Sequence, residues 1–334
     1  MKNKHLSLYG ALLGTAVGDA YGLPFEGMTP KRIAKMSPEK AHYRLIPILH
    51  GGMVSDDTEH AIMTVQAHIA SGGNVLIFKQ SLAWRLRFWL FRLPAGIGLA
   101  TLRAIVKMCF GLRETGVFSA GNGGAMRTAV LGVLIDDIDE LKEWVKASTR
   151  LTHTDPKAEQ GALLIALLAW AETRHADWDT AQILHFAFRH IDDNELIEKV
   201  KNFQPNAKTG ISGYVYHTVP AVCAAWQQYR NTPLQGMQQL IAWGGDTDTT
   251  CAIFGGVVGV RHGESLWQAV SGAWCEPVLR HDYFADLATQ AIEVQANRQA
   301  QKPLAWGGAM TCLRNVGFMA IVLAHGFRRL LPPY

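Results

Sequence analysis

Along most of the chain, apolar residues recur at three- and four-residue spacing, the period of a helix that buries one face. The pattern predicts helices over 6–20, 57–71, 76–92, 98–110, 124–134, 137–149, 157–172, 178–190, 212–230, 247–260 and 281–299. Alternating strand patterns of useful length are scarce. Gly, Pro and Asn/Asp clusters punctuate the helices, as at Pro94-Ala95-Gly96, Gly121 to Gly124 and Asp192-Asp193-Asn194. There is no repeat at a fixed period, no low-complexity tract and no evident linker. The chain therefore reads as one compact all-α domain over 1–300, followed by a helical extension over 301–334.

Two apolar runs bear on that reading. Leu6 to Val17 follows a basic Met1 to Lys4, as the core of a secretion signal does. It carries Tyr9, however, and leads into Gly18-Asp19-Ala20 without an A-x-A cleavage site, so it reads as a buried first helix. Val316 to Phe327 is about 12 residues, too short to cross a bilayer of roughly 30 Å as a helix. Because it ends in Arg328-Arg329 an interfacial anchor is one option, but a core or oligomer-contact helix is favoured and no stable membrane span is expected.

Composition supports a large interior. Hydrophobic residues make up 49% of the 334, and charged residues only 18%, against roughly a quarter in ordinary soluble domains. The net charge of +4 is too small and too scattered to argue for nucleic-acid binding, though it would not repel an anionic ligand. Five widely spaced cysteines form no C-x-x-C, which argues against a zinc site or a disulfide framework. Free thiols in a reducing cytoplasm fit better.

The chemistry gathers at helix starts that carry acids in pairs. Ser55-Asp56-Asp57-Thr58 precedes Ala61-Ile62-Met63, and Gly244-Gly245-Asp246-Thr247-Asp248-Thr249 precedes Cys251-Ala252-Ile253. A Ser or Asp at such a place is an ordinary cap for the unpaired N–H groups and the positive end of the helix dipole. A cap explains one acid per helix and leaves the second unexplained, since like charges so close are costly unless solvated or neutralised. Carboxylates with Ser and Thr hydroxyls form an all-oxygen set, suited to Mg²⁺ or Mn²⁺ and not to zinc or copper. If the fold joins the two clusters, about 190 residues apart, a dinuclear site that orients a substrate and activates a water becomes possible.

Ser119-Ala120-Gly121-Asn122-Gly123-Gly124-Ala125-Met126-Arg127 fits neither G-x-G-x-x-G nor the Walker pattern. By itself it reads as a Gly-rich turn with a surface arginine, although such a turn can offer N–H groups to a phosphate. Leu151-Thr152-His153-Thr154-Asp155-Pro156 leads into a helix, and no G-x-S-x-G accompanies its histidine.

Taken together, these segments resemble the ADP-ribosylglycohydrolase family. Gly10 to Gly14, Gly18-Asp19-Ala20 and Pro24-Phe25-Glu26 are similar to its opening. Ser55 to Thr58, Gly121 to Arg127, Thr152-His153 and Gly244 to Thr249 match its remaining motifs in order, and Ser212-Gly213-Tyr214-Val215 and the Trp-rich stretch Trp84 to Phe91 are further likenesses. The resemblance spans about residues 8 to 262. It implies an orthogonal multi-helix bundle and two Mg²⁺ or Mn²⁺ ions held by Ser55, Asp56, Asp57, Asp246, Asp248 and Thr249. It gives Glu26, Asp56 and Asp248 catalytic roles, with Glu26 beside the metals on a mobile loop. Gly121, Asn122, Gly123, Gly124, Met126, Arg127 and His153 would hold the pyrophosphate and distal ribose, and Tyr214 would flank the ligand. Ser55 stands where many members carry Thr, with the hydroxyl kept.

The implied activity is hydrolysis of the bond between ADP-ribose and an acceptor, foremost an ADP-ribosylated protein with arginine favoured. Two alternatives stay open: a small ribosylated metabolite or nucleoside as substrate, and a protein that binds ADP-ribose without cleaving it. The five carboxylates argue against the last. The residues beyond 300 have no counterpart in the resemblance.

Overall fold

The computed structural model describes residues 2–36, 44–46, 49–270, 274, 276–306 and 308–328. Helices dominate: α1 (Lys2–Gly22), α2 (Pro30–Ala34), α3 (Asp56–Ser71), α4 (Val75–Leu90), α5 (Leu99–Cys109), α6 (Ala129–Leu134), α7 (Ile138–Arg150) and α8 (Pro156–Arg174) form the first half. The second half holds α9 (Thr180–Phe188), α10 (Asn194–Lys201), α11 (Val215–Tyr229), α12 (Pro233–Trp243), α13 (Thr247–Val270), α14 (His281–Asn297) and α15 (Gly308–Arg328). A two-stranded antiparallel pair, β1 (Arg44–Ile46) and β2 (Leu49–His50), is the only sheet among the described residues.

The helix starts follow local chemistry. Ser55 caps α3 by accepting the Asp57 N–H, Asn74 caps α4, Asp137 caps α7, and Asp155 followed by Pro156 opens α8. Asp179 and Gln182 make a reciprocal capping box on α9.

The centre of the molecule is the crossing of α1 and α13. Gly10, Gly14, Gly18 and Gly22 recur every four residues, which places them on one stripe of α1. They lie against the backbone of Gly259, Gly255, Cys251 and Thr247, where an added Cβ would sit 2.0–2.2 Å from a carbonyl oxygen. Any side chain on that stripe would push the helices apart. This contact brings the two ends of the family-like region together and sets Gly22 beside Thr247, whose hydroxyl donates to the Gly22 carbonyl at 2.8 Å.

The predicted and observed helices differ at several places, one of them the short α2, which lies outside every predicted segment. The helices α10 and α12 fall outside the predicted segments: α10 is short and charge-rich, and α12 contains Gly236, which weakens helix propensity but lets the Phe254 ring pack against the backbone. The segment predicted over 247–260 continues to Val270, through the polar turn Arg261-His262-Gly263-Glu264. The predicted 124–134 helix is instead a 3₁₀ turn, Ala125–Arg127, followed by α6. The apolar stretch at 316–327 belongs to a 21-residue helix, α15, that is long and apolar enough by length and composition to cross a membrane. Only its second half had registered as apolar, because Arg314 and Asn315 interrupt the first.

Candidate active site

The N-termini of α3 and α13 and the loop after α1 converge on one cleft of about 670 Å³. Glu26 and Gly27, Asp56, and Asp246, Asp248 and Thr249 line one part of it. Gly121, Asn122, Gly123, Met126 and His153 line another part, together with Ser212-Gly213.

Three loops are stitched together under the acids. Gly245 accepts the Gly27 N–H and donates its own to the Met28 carbonyl at 2.8 Å, while Asp246 N–H donates to the Ile211 carbonyl at 2.8 Å. Gly245 has φ +88°, and a Cβ there would fall 1.9 Å from the Ile211 oxygen, so no other residue fits this junction. The turn holds Asp246 so that its carboxylate accepts from Asn122 Nδ2 at 2.6 Å. Asn122 in turn reaches Thr218 Oγ1 at 3.0 Å and donates its backbone N–H to the Gly213 carbonyl at 2.9 Å. On the other side, Asp57 Oδ2 accepts from Thr249 Oγ1 at 3.2 Å and from Ser55 Oγ at 3.3 Å. The two acid pairs distant in sequence are thus bridged by hydroxyls.

A further acid lies beneath them. Asp19, fully buried on α1, accepts the N–H groups of Ser55 at 2.9 Å and Thr58 at 3.1 Å through one oxygen, together with the Thr58 hydroxyl. It anchors the start of α3 and thereby the direction of Asp56 and Asp57. Its sequence signal is a lone carboxylate in an otherwise apolar helix, which is rarely buried without a task.

The electrostatics are unfavourable in this state. Burial first, then repulsion from Asp19 and Glu26, holds the Asp56 carboxyl well above the usual carboxylate range. Asp57 is raised by burial and by Asp56, Asp19 and Asp246, and Asp248 by burial and by Glu26, Asp246 and Asp57. Among the described residues no Lys or Arg lines the cleft. One oxygen each of Asp19, Asp57 and Asp248 is buried without a hydrogen-bond donor. Among the described residues no three His, Cys, Asp or Glu side chains already stand as a finished metal cage. What the residues offer is an all-oxygen set with orphaned, mutually repelling carboxylates, which fits hard divalent cations.

The glycine loop meets His153 closely. A Cβ at Gly121 or Gly123 would fall 2.9 or 2.8 Å from the imidazole, so the bare backbone packs on the ring. Burial, followed by the charge of Arg127, pushes the His153 pKa down to about 3, leaving a neutral ring at the cleft wall. His153 Nδ1 meets Thr152 Oγ1 at 2.9 Å.

Three expected contacts are placed elsewhere. Arg127 does not face the cleft: it is fully buried, with Nε on Ser148 Oγ at 3.1 Å, Nη2 on Thr152 Oγ1 at 2.8 Å and Nη1 on His60 Nδ1 at 3.1 Å. It props His153 through Thr152 and is not among the residues that line the cleft. Gly124 packs against Thr149 beneath the loop. Tyr214 pairs by backbone with Gly121, and its hydroxyl lies 3.3 Å from Lys157 Nζ, outside the cleft lining. Ser55 and Asp57 are buried just behind the lining acids. The span Ile97 to Thr101, where α4 gives way to α5, supplies a further wall.

An all-α bundle whose helix N-termini converge on an anionic, oxygen-rich cleft defines the class of protein. The chain belongs to the ADP-ribosylglycohydrolase family, whose model matches residues 2–301, and it is a glycosidic-bond hydrolase of that family, acting on ADP-ribose linkages. It is 28% identical over 278 residues to the ADP-ribosyl-[dinitrogen reductase] glycohydrolase of Rhodospirillum rubrum, covering 78% of this chain and 86% of that one. It is 26% identical to the uncharacterized protein YegU of Escherichia coli, over 88% of this chain and 98% of that protein. An uncharacterized protein of Archaeoglobus fulgidus is 26% identical over 85% of this chain and 95% of its own length. In fold, the chain is similar to a solved ADP-ribosylglycohydrolase-related protein complex, with a TM-score of 0.69 and 23% identity over 88% of this chain and 100% of that one.

Proposed function

We propose that this cleft removes ADP-ribose from a modified protein, with arginine the favoured acceptor, and that it works with two Mg²⁺ or Mn²⁺ ions. The observation that carries the metal reading is the set of buried carboxylates with orphaned oxygens and, among the described residues, no Lys or Arg in the walls. Ser55, Asp56, Asp57, Asp246, Asp248 and Thr249 would hold the ions. Bound there, divalent cations orient a sugar's hydroxyls and polarise a water.

The chain's own groups account for the rest. Asn122 fixes the Asp246 carboxylate, and Ser55 and Thr249 fix that of Asp57, so the acids need no reorientation when substrate arrives. Carboxylates facing the anomeric carbon stabilise positive charge as the glycosidic bond breaks. Glu26, on the loop at the cleft edge, takes the proton of the attacking water on its carboxylate. The neutral His153 ring and the bare glycine backbone offer hydrogen bonds to the phosphate-bearing part without adding a charge. A protein acceptor is supported by the name of the R. rubrum relative, which acts on an ADP-ribosyl protein. Buried free Cys223 and Cys251 suit a reducing cytoplasm.

The test is an incubation with Mg²⁺ or Mn²⁺ and ADP-ribosyl-arginine, ADP-ribosyl-serine peptides or simple nucleosides, each with an EDTA control. Release of ADP-ribose from the arginine conjugate, lost on chelation, is expected. Turnover that survives thorough chelation refutes the metal reading, and turnover of nucleosides alone refutes the protein-acceptor reading.

A further inference from the structure

The C-terminal helix is docked inside out. Thr311, Arg314, Asn315, Phe318 and His325 of α15 are buried against the body, whereas Met310, Leu313, Val316, Leu323 and Phe327 face outward at three- to four-residue spacing. The docking is specific. Arg314 Nε reaches Glu276 at 3.1 Å, Asn315 Nδ2 donates to the Arg92 carbonyl at 2.8 Å, and His325 Nε2 meets the Pro24 carbonyl at 2.8 Å. Its apolar stripe therefore has nothing to cover it among the described residues.

Further exposed apolar residues lie on α4 and α5, and α4 ends beside α15. Asn315 joins α15 to the end of α4, and Phe318 packs with Ala95 just beyond it. On α4, Ile77, Trp84, Phe88 and Phe91 form an exposed row at helical spacing, with Trp84 and Phe88 stacked at 5.6 Å. Phe110, at the end of α5, is 79% exposed. Apart from Leu6, every large apolar side chain that is exposed among the described residues lies between 76 and 118 or beyond 303. So many exposed apolar side chains confined to these elements mark a contact face.

Charge says what it contacts. Residues 60–113 hold seven Lys and Arg and no acid, and residues 294–334 hold five and no acid. These stretches carry 12 basic residues against none acidic, leaving 20 against 28 in the rest of the chain. None of the seven cations in 60–113 makes an ion pair among the described residues. Three of them, Lys79, Arg87 and Arg113, line a groove of about 670 Å³ beside α4 and the end of α5, together with Arg150 and one acid, Glu114, and Arg87 is also stacked on Trp84 at 4.8 Å. Exposed aromatic and aliphatic rows flanked by unpaired cations match an interface with anionic headgroups.

We propose that α4, α5 and α15 together form a face that docks flat on an anionic lipid bilayer. A second copy of the chain is disfavoured on this face, because a two-fold contact would set one predominantly cationic surface against another. Spanning by α15 is disfavoured as well, since it would pull Arg314 out of its contacts with Glu276 and Glu59. The edge of the face, Ile97 to Thr101, is also a wall of the cleft, but the docking does not depend on what the cleft hydrolyses.

The test is co-sedimentation of the full chain with vesicles of phosphatidylcholine alone or mixed with phosphatidylserine, at low and high salt. Binding only to the mixed vesicles, weakened by salt, is expected. The triple variant Lys79→Glu, Arg87→Glu, Arg113→Glu should lose at least about tenfold in apparent affinity, since each surface cation contributes a substantial share of such binding. The pair Phe88→Glu and Leu313→Glu should lose a similar amount, with melting temperature and helix content showing that both variants fold. Equal binding to neutral vesicles, no binding to either, or binding untouched by both variants overturns the proposal. A salt-resistant dimer that Leu313→Glu dissociates would assign the face to a second copy instead.

Discussion

Two buried groups of acids sit within one turn of each other at the start of α3, and the protein treats them in opposite ways. Asp56 lines the cleft beside Asp246, Asp248 and Glu26, with Asp57 buried just behind, and among the described residues no cation joins them. Glu59 points the other way, where Arg314 of α15 lies 3.4 Å from it and 3.1 Å from Glu276, with the Trp89 indole also donating to Glu59. Burial raises the Glu59 pKa, and the Arg314 charge opposes that rise; Arg314, despite its own burial, is held up by Glu276 and Glu59. Where acids serve the fold, the chain supplies the counter-charge itself. At the cleft it withholds one, and the repulsion that remains is a standing cost that a cationic ligand can relieve.

The widest separation between the two groups should come from Asp248→Asn. An amide keeps the shape but removes a charge from a repelling cluster. Turnover of the ADP-ribosyl substrate should fall by at least about a thousandfold, the scale of losing one preorganised electrostatic contact at a reacting centre. The metal-free variant should melt no lower than the wild type, because the Asp248 carboxyl is already held well above its ordinary range. Kinetics and a melting curve in EDTA check both halves. A stable variant with wild-type activity would remove Asp248 from the site, and a strongly destabilised one would mean the cluster is structural after all.

The opposite outcome is expected of Arg314→Met. It leaves Glu59 and Glu276 buried without a partner, and breaking a buried pair in this way costs about 3–5 kcal/mol. Urea denaturation measures it. The double change Arg314→Met with Glu276→Gln should recover part of the loss, since the neutral amide no longer needs a counter-charge. If Arg314→Met costs no more than a surface substitution, α15 is not the neutralising element and the contrast drawn between the two groups fails.

This contrast explains what could be read from sequence. The doubled acids Asp56-Asp57 and Asp246/Asp248 announced themselves because one cap per helix leaves a carboxylate over, and the helical period gave the all-α class. Their meeting was not derivable from spacing. It depends on the glycine stripe Gly10, Gly14, Gly18 and Gly22 against α13, which is visible in the sequence but names no partner. Arg127 was misjudged for a different reason. An arginine after a glycine loop reads as a surface residue, and the family resemblance casts it as a phosphate contact; nothing in the sequence reveals that Ser148, Thr152 and His60 lie close enough to satisfy it indoors. The polarity of α15 was obscured likewise, because Arg314 looks like an interruption of an apolar helix until Glu59 and Glu276, distant in sequence, are placed beside it.

A third arrangement on the same helix gives the smallest and cleanest test. His68, near the C-terminal end of α3, is fully buried against Trp144, and neither ring nitrogen has a hydrogen-bond partner. Burial first, then the charges of Arg298 and Lys4, pushes its pKa down to about 3. Here the helix offers neither a counter-charge nor a ligand, and the group stays neutral. The sign follows from the folded pKa lying below the unfolded value of about 6.5. Stability from this group is fully present above pH 6.5 and is lost as pH falls toward 3, because protons bind the unfolded chain first. Between pH 7 and 5 the loss should be roughly 2 kcal/mol from His68 alone. His68→Phe keeps the ring packing on Trp144 and removes the titration, so its stability should fall less steeply over that interval, while His60 and His153, also depressed by burial, keep some slope in both proteins. Denaturation midpoints at several pH values decide it: parallel curves for the two proteins would mean His68 is hydrated or charged in the fold, and burial on α3 would then not impose neutrality where it withholds a partner.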